Sequence, residues 1–413
     1  MKVNINKKDT MKNDKKMLLY KYKIRRINMF KRIFLIVLDS CGVSHSKDSE
    51  NYGDKGSNTF GHVVSKTKID LPNLRKMGFH NLAFDGNDKT IAYHMRANEV
   101  SNGKDTLTGH LEMMGVVTTI PFKTFTETGF PKELIDELVK ETGRGILGNK
   151  NASGTEIIKE LGEEHMKTGK IIVYTSADSV LQIAAHEEIV PLPELYHICE
   201  VARKITMKDE WKVGRIIARP FVGQPGNFTR TPNRHDYALN PASKTCLDYL
   251  KEDGYDVLAI GKISDIFNGC GITNSDKTKS NLDGINKIIE SEEIDFNGLC
   301  FANLNDFDSL YGHRRDVEGY ANALKEFDNY LPKIIDKLKE DDLLIITADH
   351  GNDPTWHGTD HTRENIPVSI YSKKFINGKR LDDINTFSDI GATIMDNFGI
   401  RNRFGKSFLD KLK

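Results

Sequence analysis

Short apolar runs, each bounded by polar residues or glycine, recur along the chain and predict buried β-strands. The runs extend for four to six residues, a length typical of strands rather than of helices. The strands predicted in this way are Ile33–Leu38, Ile171–Tyr174, Arg215–Ala218, Asp256–Ile260, Leu299–Leu304, Leu343–Thr347 and Pro367–Tyr371.

Helical periodicity occupies several of the intervals between these runs. Nine apolar residues between Val317 and Leu338 fall on one helical face, so this segment is predicted to pack a helix on the core. Nearer the C-terminus, Ser388 and Asp389 are suited to cap a further helix that ends at Gly399. The alternation of strands and helices predicts an α/β fold with a mostly parallel sheet flanked by helices.

Composition and charge exclude several classes of function. Of the 413 residues, 38% are hydrophobic and 29% are charged, as in an ordinary globular protein, and the formal net charge is +0. Bulk charge therefore gives no reason to expect nucleic acid or an anionic membrane as a partner, and no protein partner is evident. The five cysteines are scattered without a Cys-x-x-Cys pair, which indicates a reducing compartment, and we expect a cytoplasmic protein.

The segment from Thr347 to Arg363 brings three metal-ligand types into one loop after a predicted strand. Asp349, His350 and His361 suit Mn²⁺, Zn²⁺ or Fe²⁺ better than a metal that prefers thiolates. Open α/β sheets place their sites beyond the carboxyl ends of the strands, where this loop is predicted to lie. The alternative interpretation is an Asp-His pair that only caps a helix.

Three more candidate ligands follow other predicted strands. Asp39 ends the first apolar run, where a carboxylate is either a metal ligand or a helix cap, and Asp308 and His313 follow the strand that ends at Leu304. With the loop residues they provide three carboxylates and three imidazoles, and no cysteine. Such a set suits two divalent cations about 3.5–4 Å apart, which can clamp a transferring phosphoryl group, better than a structural zinc ion.

A phosphoryl-transfer site also needs a nucleophile, and Thr106 is the first candidate. Small residues around Thr106 permit a turn at the start of a helix, where backbone N–H groups favour an anion. A metal-bound hydroxyl there could attack phosphorus at neutral pH. The alternatives are that Thr106 is only an N-cap before an ordinary helix, or that Thr108 is the nucleophile.

The candidate ligands fall into two blocks, and the segment between them has its own strand and helix signals. We therefore predict a catalytic core formed by residues 29–121 and 239–413, with a smaller α/β domain inserted at 122–238. The Lys-rich residues 1–28 are predicted to be a disordered extension, or to precede a working initiator at Met29.

Taken together, these motifs resemble those of the bacterial phosphopentomutases of the alkaline phosphatase superfamily. The resemblance spans about residues 30–410, with two departures: Leu111 stands where that family usually has Trp, and Ser44-His45 replaces a more usual Gly-Glu. The segments that carry it are Asp39-Ser40, Gly53–His62, Lys104–His110, Tyr174–Gln182, Asp306–Asp316 and Thr347–Arg363.

The resemblance implies an alkaline-phosphatase-like core, two Mn²⁺ ions and a phosphothreonine at Thr106. It also implies the interconversion of ribose 1-phosphate and ribose 5-phosphate, and of the deoxyribose equivalents, through a sugar bisphosphate. Ribose 1,5-bisphosphate or glucose 1,6-bisphosphate would prime the enzyme. One ion would be held by Asp39, Asp349 and His350, and the other by Asp308, His313 and His361.

The resemblance further implies where the pentose phosphate binds. Ser176, Asp178 and Val180 would approach the sugar, while Arg215 and Lys262 would hold the non-reacting phosphate. Arg219 and Arg230 are also chemically suited to bind phosphate, and the sequence leaves open whether they are phosphate ligands or surface charges. The inserted domain would act as a cap that excludes water from the phosphoenzyme.

Three rival functions remain from the sequence alone. A phosphatase or sulfatase of the same superfamily would release the group to water, and the segment with Asp178 and Lys262 argues against it. A cofactor-independent phosphoglycerate mutase would be expected to have Ser at position 106. A metal-stabilised binding protein would have lost its nucleophile, whereas Thr106 is present.

Overall fold

The computed structural model of this protein describes residues 29–176 and 179–412. The predicted N-terminal extension and Asp178 lie outside the described residues. The strands are β1 (Arg32–Leu38), β2 (Ser44–His45), β3 (Tyr93–Ala97), β4 (Ile146–Asn151), β5 (Ile171–Thr175), β6 (Val180–His186), β7 (Arg215–Gln224), β8 (Asn227–Arg230), β9 (His235–Ala238), β10 (Asp256–Ile260), β11 (Asn274–Asp276), β12 (Gly298–Leu304), β13 (Asp342–Thr347) and β14 (Glu364–Tyr371).

Helices occupy most of the intervals between these strands. The α-helices are α1 (Thr59–Thr67), α2 (Pro72–Lys76), α3 (Phe79–Phe84), α4 (Thr106–Met113), α5 (Lys132–Thr142), α6 (Gly154–Thr168), α7 (Leu192–Ile205), α8 (Cys246–Glu252), α9 (Ile263–Ile266), α10 (Asn281–Ser291), α11 (Val317–Lys337) and α12 (Ser388–Asn397). Short 3₁₀ helices cover Ser49–Tyr52 and Leu409–Lys411, and a π-helix covers Phe307–Gly312.

The chain forms two compact units. The smaller unit consists of Thr118–Pro241 and Asp265–Gly269, and the larger unit holds the rest of the described residues. Each unit is built on its own β-sheet with helices packed against it.

The sheet of the larger unit is mixed and mostly parallel, which confirms the predicted α/β class. Its strand order is β11-β10-β12-β1-β13-β14-β2, with β3 also paired to β14. The five strands from β11 to β13 run parallel, whereas β14 is antiparallel to β13, and β2 and β3 are antiparallel to β14. The parallel strands therefore end together at one edge of the sheet.

The three central strands of this sheet explain the apolar runs of the sequence. All residues of β1, β12 and β13 are buried, as expected when helices cover both faces of a parallel sheet. Arg32 in β1 and Asp342 in β13 are the charged exceptions, and the Arg32 guanidinium donates to both carboxylate oxygens of Asp342 at 2.8 and 2.5 Å. Pairing of this kind is what a buried charge requires.

Two predicted helices of the larger unit are present. The segment with apolar residues on one face, between Val317 and Leu338, forms α11. The side chain of Asp316 caps the N-terminus of this helix by accepting from the backbone N–H of Gly319. The predicted C-terminal helix is α12, but the expected caps are wrong, because the preceding residue Phe387 is the N-cap and its side chain makes no capping hydrogen bond. The Ser388 hydroxyl instead donates to the carbonyl of Glu112.

The smaller unit has a separate mixed sheet. Its strand order is β4-β5-β6-β7-β8, with β9 also paired to β7. The pairs β4–β5 and β6–β7 are parallel, whereas β5–β6, β7–β8 and β7–β9 are antiparallel. Helices α5 and α7 pack on one hydrophobic cluster, which includes Leu134, Ile183 and Ile198, and α6 packs on a second, which includes Ile157 and Tyr174.

None of the described helices combines the length and the apolar character that are needed to cross a membrane.

Candidate metal centre

The ends of three neighbouring parallel strands bring the candidate ligands together. Strand β1 pairs with β12 and β13 on its two sides, with Leu38 opposite Leu304 and Val37 opposite Thr347. Asp39, Asp349 and the π-helix that contains Asp308 all follow these strand ends. Sites of open α/β sheets lie at this edge, so the position of the cluster follows from the strand order.

The first set of ligands, here called the Asp39 group, consists of Asp39, Asp349 and His350. Their ligand atoms all lie within 4.8 Å of one another, and all three side chains are buried. His350 Nε2 lies 3.5 Å from Asp39 Oδ1 and 3.4 Å from Asp349 Oδ2. Three donor atoms of the types that bind divalent transition metals therefore face one point.

Neighbouring groups fix the two carboxylates of the Asp39 group. The backbone N–H of Ser40, a residue with a left-handed φ of 70°, donates to Asp349 Oδ1 at 3.0 Å. Asn303 Nδ2 donates to Asp39 Oδ2 at 3.0 Å, and His110 Nδ1 lies 3.2 Å from Asp349 Oδ2. Ser40 and Asn303 thus each donate to one oxygen of a carboxylate, which orients the other oxygen, whereas His110 Nδ1 makes its shorter contact with the Thr106 carbonyl at 2.8 Å.

The second set, here called the Asp308 group, consists of Asp308, His313 and His361. Their ligand atoms also lie within 4.8 Å of one another. Asp308 Oδ2 is 3.3 Å from His313 Nε2, Asp308 Oδ1 is 3.3 Å from His361 Nε2, and the two Nε2 atoms are 3.1 Å apart. The His350 and His361 rings, with centroids 4.2 Å apart, connect this group to the Asp39 group.

The π-helix Phe307–Gly312 sets the geometry of the Asp308 group. The backbone N–H of His313 donates to the carbonyl of Asp308 at 3.2 Å, a hydrogen bond between residues five apart. Single π turns of this type are frequent at functional sites. The wider turn brings Asp308 and His313 to the same side of the segment.

Burial and neighbouring charges shift the pKa values of residues in both groups. Burial alone raises the pKa of Asp308, but the charges of His361 and His313 outweigh it and hold that pKa well below its usual value. Burial and the charge of Asp349 raise the pKa of Asp39. Burial acts to lower the pKa of His350, but the charge of Asp349 and the contact with Asp39 raise it well above its usual value.

Two orphaned carboxylate oxygens show that the site fits a divalent cation. Asp39 Oδ1 and Asp349 Oδ2 are buried, and neither has a hydrogen-bond partner among the described residues. A buried ionised carboxylate is costly unless it is paired or coordinates a metal. These two oxygens face His350 Nε2, so a cation at that point would satisfy all three atoms. The donor set, oxygen and imidazole without sulfur, suits Mn²⁺, Fe²⁺ or Zn²⁺.

Thr106 is the first residue of α4, next to the Asp39 group. Its Oγ1 lies 3.1 Å from His350 Nε2. The N-cap of α4 is Asp105, whose side chain accepts from the backbone N–H of Thr108 and from the Thr108 hydroxyl at 2.6 Å. The alternative that Thr106 is itself the N-cap is therefore wrong. Thr108 is buried and its hydroxyl donates to Asp105, whereas Thr106 is only partly buried.

Close packing of α4 fixes the position of Thr106. A Cβ at Gly109 would lie 2.0 Å from the carbonyl oxygen of Asp349, so only glycine permits this approach. His110, one residue further along α4, has Nδ1 2.8 Å from the Thr106 carbonyl. The helix is thus in direct contact with the strand end that supplies Asp349.

Several supporting residues were not predicted from the sequence. Asn352 Nδ2 donates to Asp308 Oδ1 at 2.7 Å, and Arg315 donates to Asn352 Oδ1 at 2.5 Å. The Arg315 guanidinium also donates to the carbonyls of Gly358 and Asp360, which precede His361. Asn352 stands three residues after Asp349, and that proximity is the signal that could have identified it.

Arg363 connects the metal-ligand loop to the segment before Thr106. Its side chain is 1% exposed, and its guanidinium pairs with Glu99 at 2.6 Å and with Asp48 at 2.9 Å. The guanidinium also donates to the carbonyls of Ser101 and Gly103. One buried guanidinium therefore holds both the turn that leads to Thr106 and the end of the loop that contains His361.

The predicted substrate residues lie at strand ends in both units. In the smaller unit, Ser176 follows β5, and Val180 opposes Arg215 where β6 and β7 begin. Arg215 lies 3.7 Å from Asp236. In the larger unit, Lys262 follows β10 at the edge of the sheet that holds the metal ligands, and it is half-buried.

Comparison with known proteins gives a family match and several similar structures. The chain is similar to the PH0037 protein from Pyrococcus horikoshii, with 14% identity over 91% of this chain and 99% of that one, at a TM-score of 0.49. It is similar to a phosphoglycerate mutase from Leishmania mexicana, with 13% identity over 92% of this chain and 97% of that one, at a TM-score of 0.45.

A TAB5 alkaline phosphatase mutant with Mg bound is similar at 13% identity, over 90% of this chain and 99% of that one, with a TM-score of 0.36. The family match covers nearly the whole described chain, including all six candidate ligands and Thr106. Since the Metalloenzyme superfamily model matches residues 31–402, the chain belongs to the Metalloenzyme superfamily.

Proposed function

We propose that this protein is a phosphopentomutase, which interconverts ribose 1-phosphate and ribose 5-phosphate and the deoxyribose equivalents. The observation that carries the proposal is the 3.1 Å distance between Thr106 Oγ1 and His350 Nε2, at the start of α4. A hydroxyl beside candidate metal ligands supports the proposal, because a phosphoryl-transfer site requires both. The sequence motifs resemble those of phosphopentomutases more than those of other members of the superfamily.

Two Mn²⁺ ions are the proposed cofactors, one in the Asp39 group and one in the Asp308 group. When bound, they would neutralise charge on the transferring phosphoryl group and lower the pKa of the Thr106 hydroxyl. The orphaned oxygens of Asp39 and Asp349 support the first position. The convergence of His313 and His361 on Asp308 supports the second.

Thr106 carries the covalent chemistry in this proposal. Its oxygen forms a bond to a phosphorus of a sugar bisphosphate while the bond from that phosphorus to the sugar oxygen breaks, and the hydroxyl proton ends on the sugar oxygen. Ribose 1,5-bisphosphate or glucose 1,6-bisphosphate would prime the enzyme in this way. The first backbone N–H groups of α4 favour the negative phosphoryl group at this position.

Isomerisation then follows from two transfers in opposite directions. Phosphothreonine at Thr106 donates its phosphoryl group to the free hydroxyl of a pentose phosphate, which gives the bisphosphate. Thr106 next takes the phosphoryl group from the other end of that sugar, so the isomer leaves and the phosphoenzyme is restored. No phosphate is released in this cycle.

We assign the recognition of the pentose phosphate to the residues that the resemblance identified. Ser176, Asp178 and Val180 would contact the sugar, and Arg215 and Lys262 would bind the non-reacting phosphate, for which both cations are suited. We further propose that the smaller unit is the inserted cap domain predicted for residues 122–238, and that the enzyme acts in the cytoplasm.

The decisive experiment follows isomer formation and phosphate release in the same reaction. We expect the protein with Mn²⁺ and a trace of sugar bisphosphate to convert ribose 1-phosphate into ribose 5-phosphate without stoichiometric phosphate release. Sustained phosphate release with no isomer formed would contradict the mutase and would identify a phosphatase instead.

A further inference from the structure

The N-terminus of α6 in the smaller unit is the starting point of a second site. Helix α6 has 15 residues, Gly154–Thr168, and the side chain of its N-cap, Ser153, makes no capping hydrogen bond. The first N–H groups of a helix have no partner within the helix. Together with the helix dipole they favour an anion.

A buried hydroxyl without a partner points at this helix end. Tyr174 is 0% exposed, and its hydroxyl has no hydrogen-bond partner within the described chain. A Cβ placed on Gly154 would lie 2.5 Å from the Tyr174 hydroxyl oxygen. Burying a hydroxyl without a hydrogen bond is unfavourable, so the hydroxyl is expected to serve a ligand at the first turn of α6.

Two arginines complete a set of donors around the same point. The Cβ placed on Gly154 would lie 3.4 Å from Arg230 Nη1, while Arg230 Nη2 donates to Thr155 Oγ1 at 2.9 Å. Arg219 Nε donates to Gln182 Oε1 at 3.0 Å, and Gln182 is opposite Tyr174 in the sheet. The Arg219 and Arg230 charges both act on the Tyr174 hydroxyl.

The local charge is strongly positive. Asp236 is the carboxylate that pairs with Arg234 at 2.6 Å and with Arg215 at 3.7 Å. Within the described residues, neither Arg219 nor Arg230 forms an ion pair with a carboxylate. Two guanidiniums beside a helix N-terminus therefore have no directly paired carboxylate in the part of the chain that the structure describes.

We propose that the first turn of α6, the Tyr174 hydroxyl and the guanidiniums of Arg219 and Arg230 form a pocket that binds a phosphate group. Donors that approach from a helix end, a hydroxyl and two planar guanidiniums suit a tetrahedral dianion with several acceptor oxygens better than a flat carboxylate. The pocket lies within the smaller unit, and its existence requires neither the metal centre nor the proposed isomerisation.

Calorimetric titration of the full-length protein with inorganic phosphate tests the pocket. The titration is repeated on the Asp349→Asn variant, in which the Asp39 group loses a metal ligand, so that binding at the metal centre is separated from binding at α6. We expect phosphate binding to persist in that variant and to weaken by about 10-fold or more when Arg230→Gln is added, because a charge-assisted hydrogen bond is lost.

The matched control is Arg144→Gln, which removes the same charge at the opposite end of α6. Arg144 Nη1 donates to the carbonyl of Gly169, the residue that follows the helix, and its guanidinium pairs with Glu194. We expect this control to leave the affinity for phosphate unchanged. An equal loss in both variants would show a general charge effect and would overturn the pocket.

Two uncharged variants test the geometry itself. Gly154→Ala sets a Cβ 2.5 Å from the Tyr174 hydroxyl oxygen, which displaces that hydroxyl from the first turn of α6, so we expect phosphate binding to be lost without a loss of helical structure by circular dichroism. Tyr174→Phe is expected to weaken phosphate binding several-fold. Unchanged binding in both variants, or no binding of phosphate to the Asp349→Asn protein, overturns the proposal.

A titration with ribose 5-phosphate identifies the source of the phosphate group. Tighter binding of ribose 5-phosphate than of inorganic phosphate to the Asp349→Asn protein, with the same dependence on Arg230, assigns the pocket to a sugar phosphate. Equal or weaker binding assigns it to free phosphate. Isomerisation is measured on the unaltered protein, so a failure of the proposed mutase activity leaves these titrations unaffected.

Discussion

The Thr106 hydroxyl and the His350 imidazole face each other at 3.1 Å, although the two residues are 244 positions apart in the chain. His350 also faces Asp39 and Asp349, so any cation held by these three side chains would lie close to the hydroxyl. The contact joins the start of α4 to the end of β13. It makes Thr106 the residue whose replacement is most informative.

Thr106→Ala is expected to lower the rate of isomerisation by about 10³-fold or more, because no hydroxyl remains to carry the phosphoryl group. Phosphothreonine detected by mass spectrometry should disappear together with turnover. The control is Thr108→Val, which should retain the phosphothreonine and lose about 0.5–2 kcal/mol of stability, since the Thr108 hydroxyl donates to the N-cap carboxylate of Asp105. Phosphorylation that survives Thr106→Ala would move the role to Thr108 or elsewhere.

Removal of the metal is expected to lower thermal stability as well as activity. A cation that binds only the folded chain stabilises it, by about 2.7 kcal/mol when its concentration is 100 times Kd. The orphaned oxygens of Asp39 and Asp349 predict that the effect is large. Differential scanning calorimetry with Mn²⁺ and with EDTA measures it.

Variants of the two ligand groups should separate the two ions. Elemental analysis is expected to show two Mn²⁺ per chain in the unaltered protein and one after His361→Ala, because the Asp39 group remains. The exposed His357→Ala serves as control, since it belongs to neither group. A content of two ions after His361→Ala would contradict the assignment of His361.

Arg363→Met is expected to destabilise the protein by about 3–5 kcal/mol, since it leaves Glu99 buried without its partner. Urea unfolding provides the measurement. The exposed pair of Arg380 and Asp383 gives the control, because loss of such a surface pair costs only about 0–1 kcal/mol. Adding Glu99→Gln to Arg363→Met should restore part of the stability, and failure to do so would show that the carbonyl contacts of Arg363 dominate.

Glu292 predicts a pH dependence of stability that is separate from the metal centre. Burial raises the pKa of Glu292 from 4.5 to about 8, and neither carboxyl oxygen has a hydrogen-bond partner within the described residues. The folded chain therefore holds a proton that the unfolded chain releases, and stability falls as the pH rises from about 4.5 to about 8. The slope for this one group approaches about 1.4 kcal/mol per pH unit.

Unfolding free energies of the Glu292→Gln variant between pH 5 and pH 8 test this dependence. We expect the variant to lose the contribution of Glu292 to the slope, because an amide does not titrate. Glu290→Gln is the control, since Glu290 is exposed in the last turn of α10, the helix that Glu292 follows. A slope that is the same in Glu292→Gln and in the unaltered protein would refute the role of Glu292.

The sequence predicted the strands that are buried on both faces. Strands β1, β12 and β13 carry continuous apolar runs because both faces of a parallel sheet are covered. Strand β11 is wholly exposed, and β8 is mostly exposed, so neither has an apolar pattern. Strand β6 was missed for another reason, since it starts only five residues after the end of β5 and Gln182 interrupts its apolar run.

The sequence identified the candidate metal ligands, but it did not identify the residues that support the site through hydrogen bonds. Asp349 and His350 stand immediately after an apolar run, and that position marks them as candidates. Arg315 and Asn303 support the site through partners more than 30 residues away, at Asn352 and at Asp39. Only the folded chain places such pairs together, so a linear pattern could not identify them.

In the π-helix at Phe307–Gly312, the pattern of backbone hydrogen bonds decides which side chains lie on the same side of the turn. On an α-helix, at about 100° per residue, side chains five positions apart point about 140° away from each other. The hydrogen bond from His313 to Asp308 widens the turn, so that residues five positions apart lie on the same side of it. A regular α-helix would need the two ligands to be four positions apart to share a face. The π turn is thus what allows the carboxylate of Asp308 and the imidazole of His313 to meet at a spacing of five.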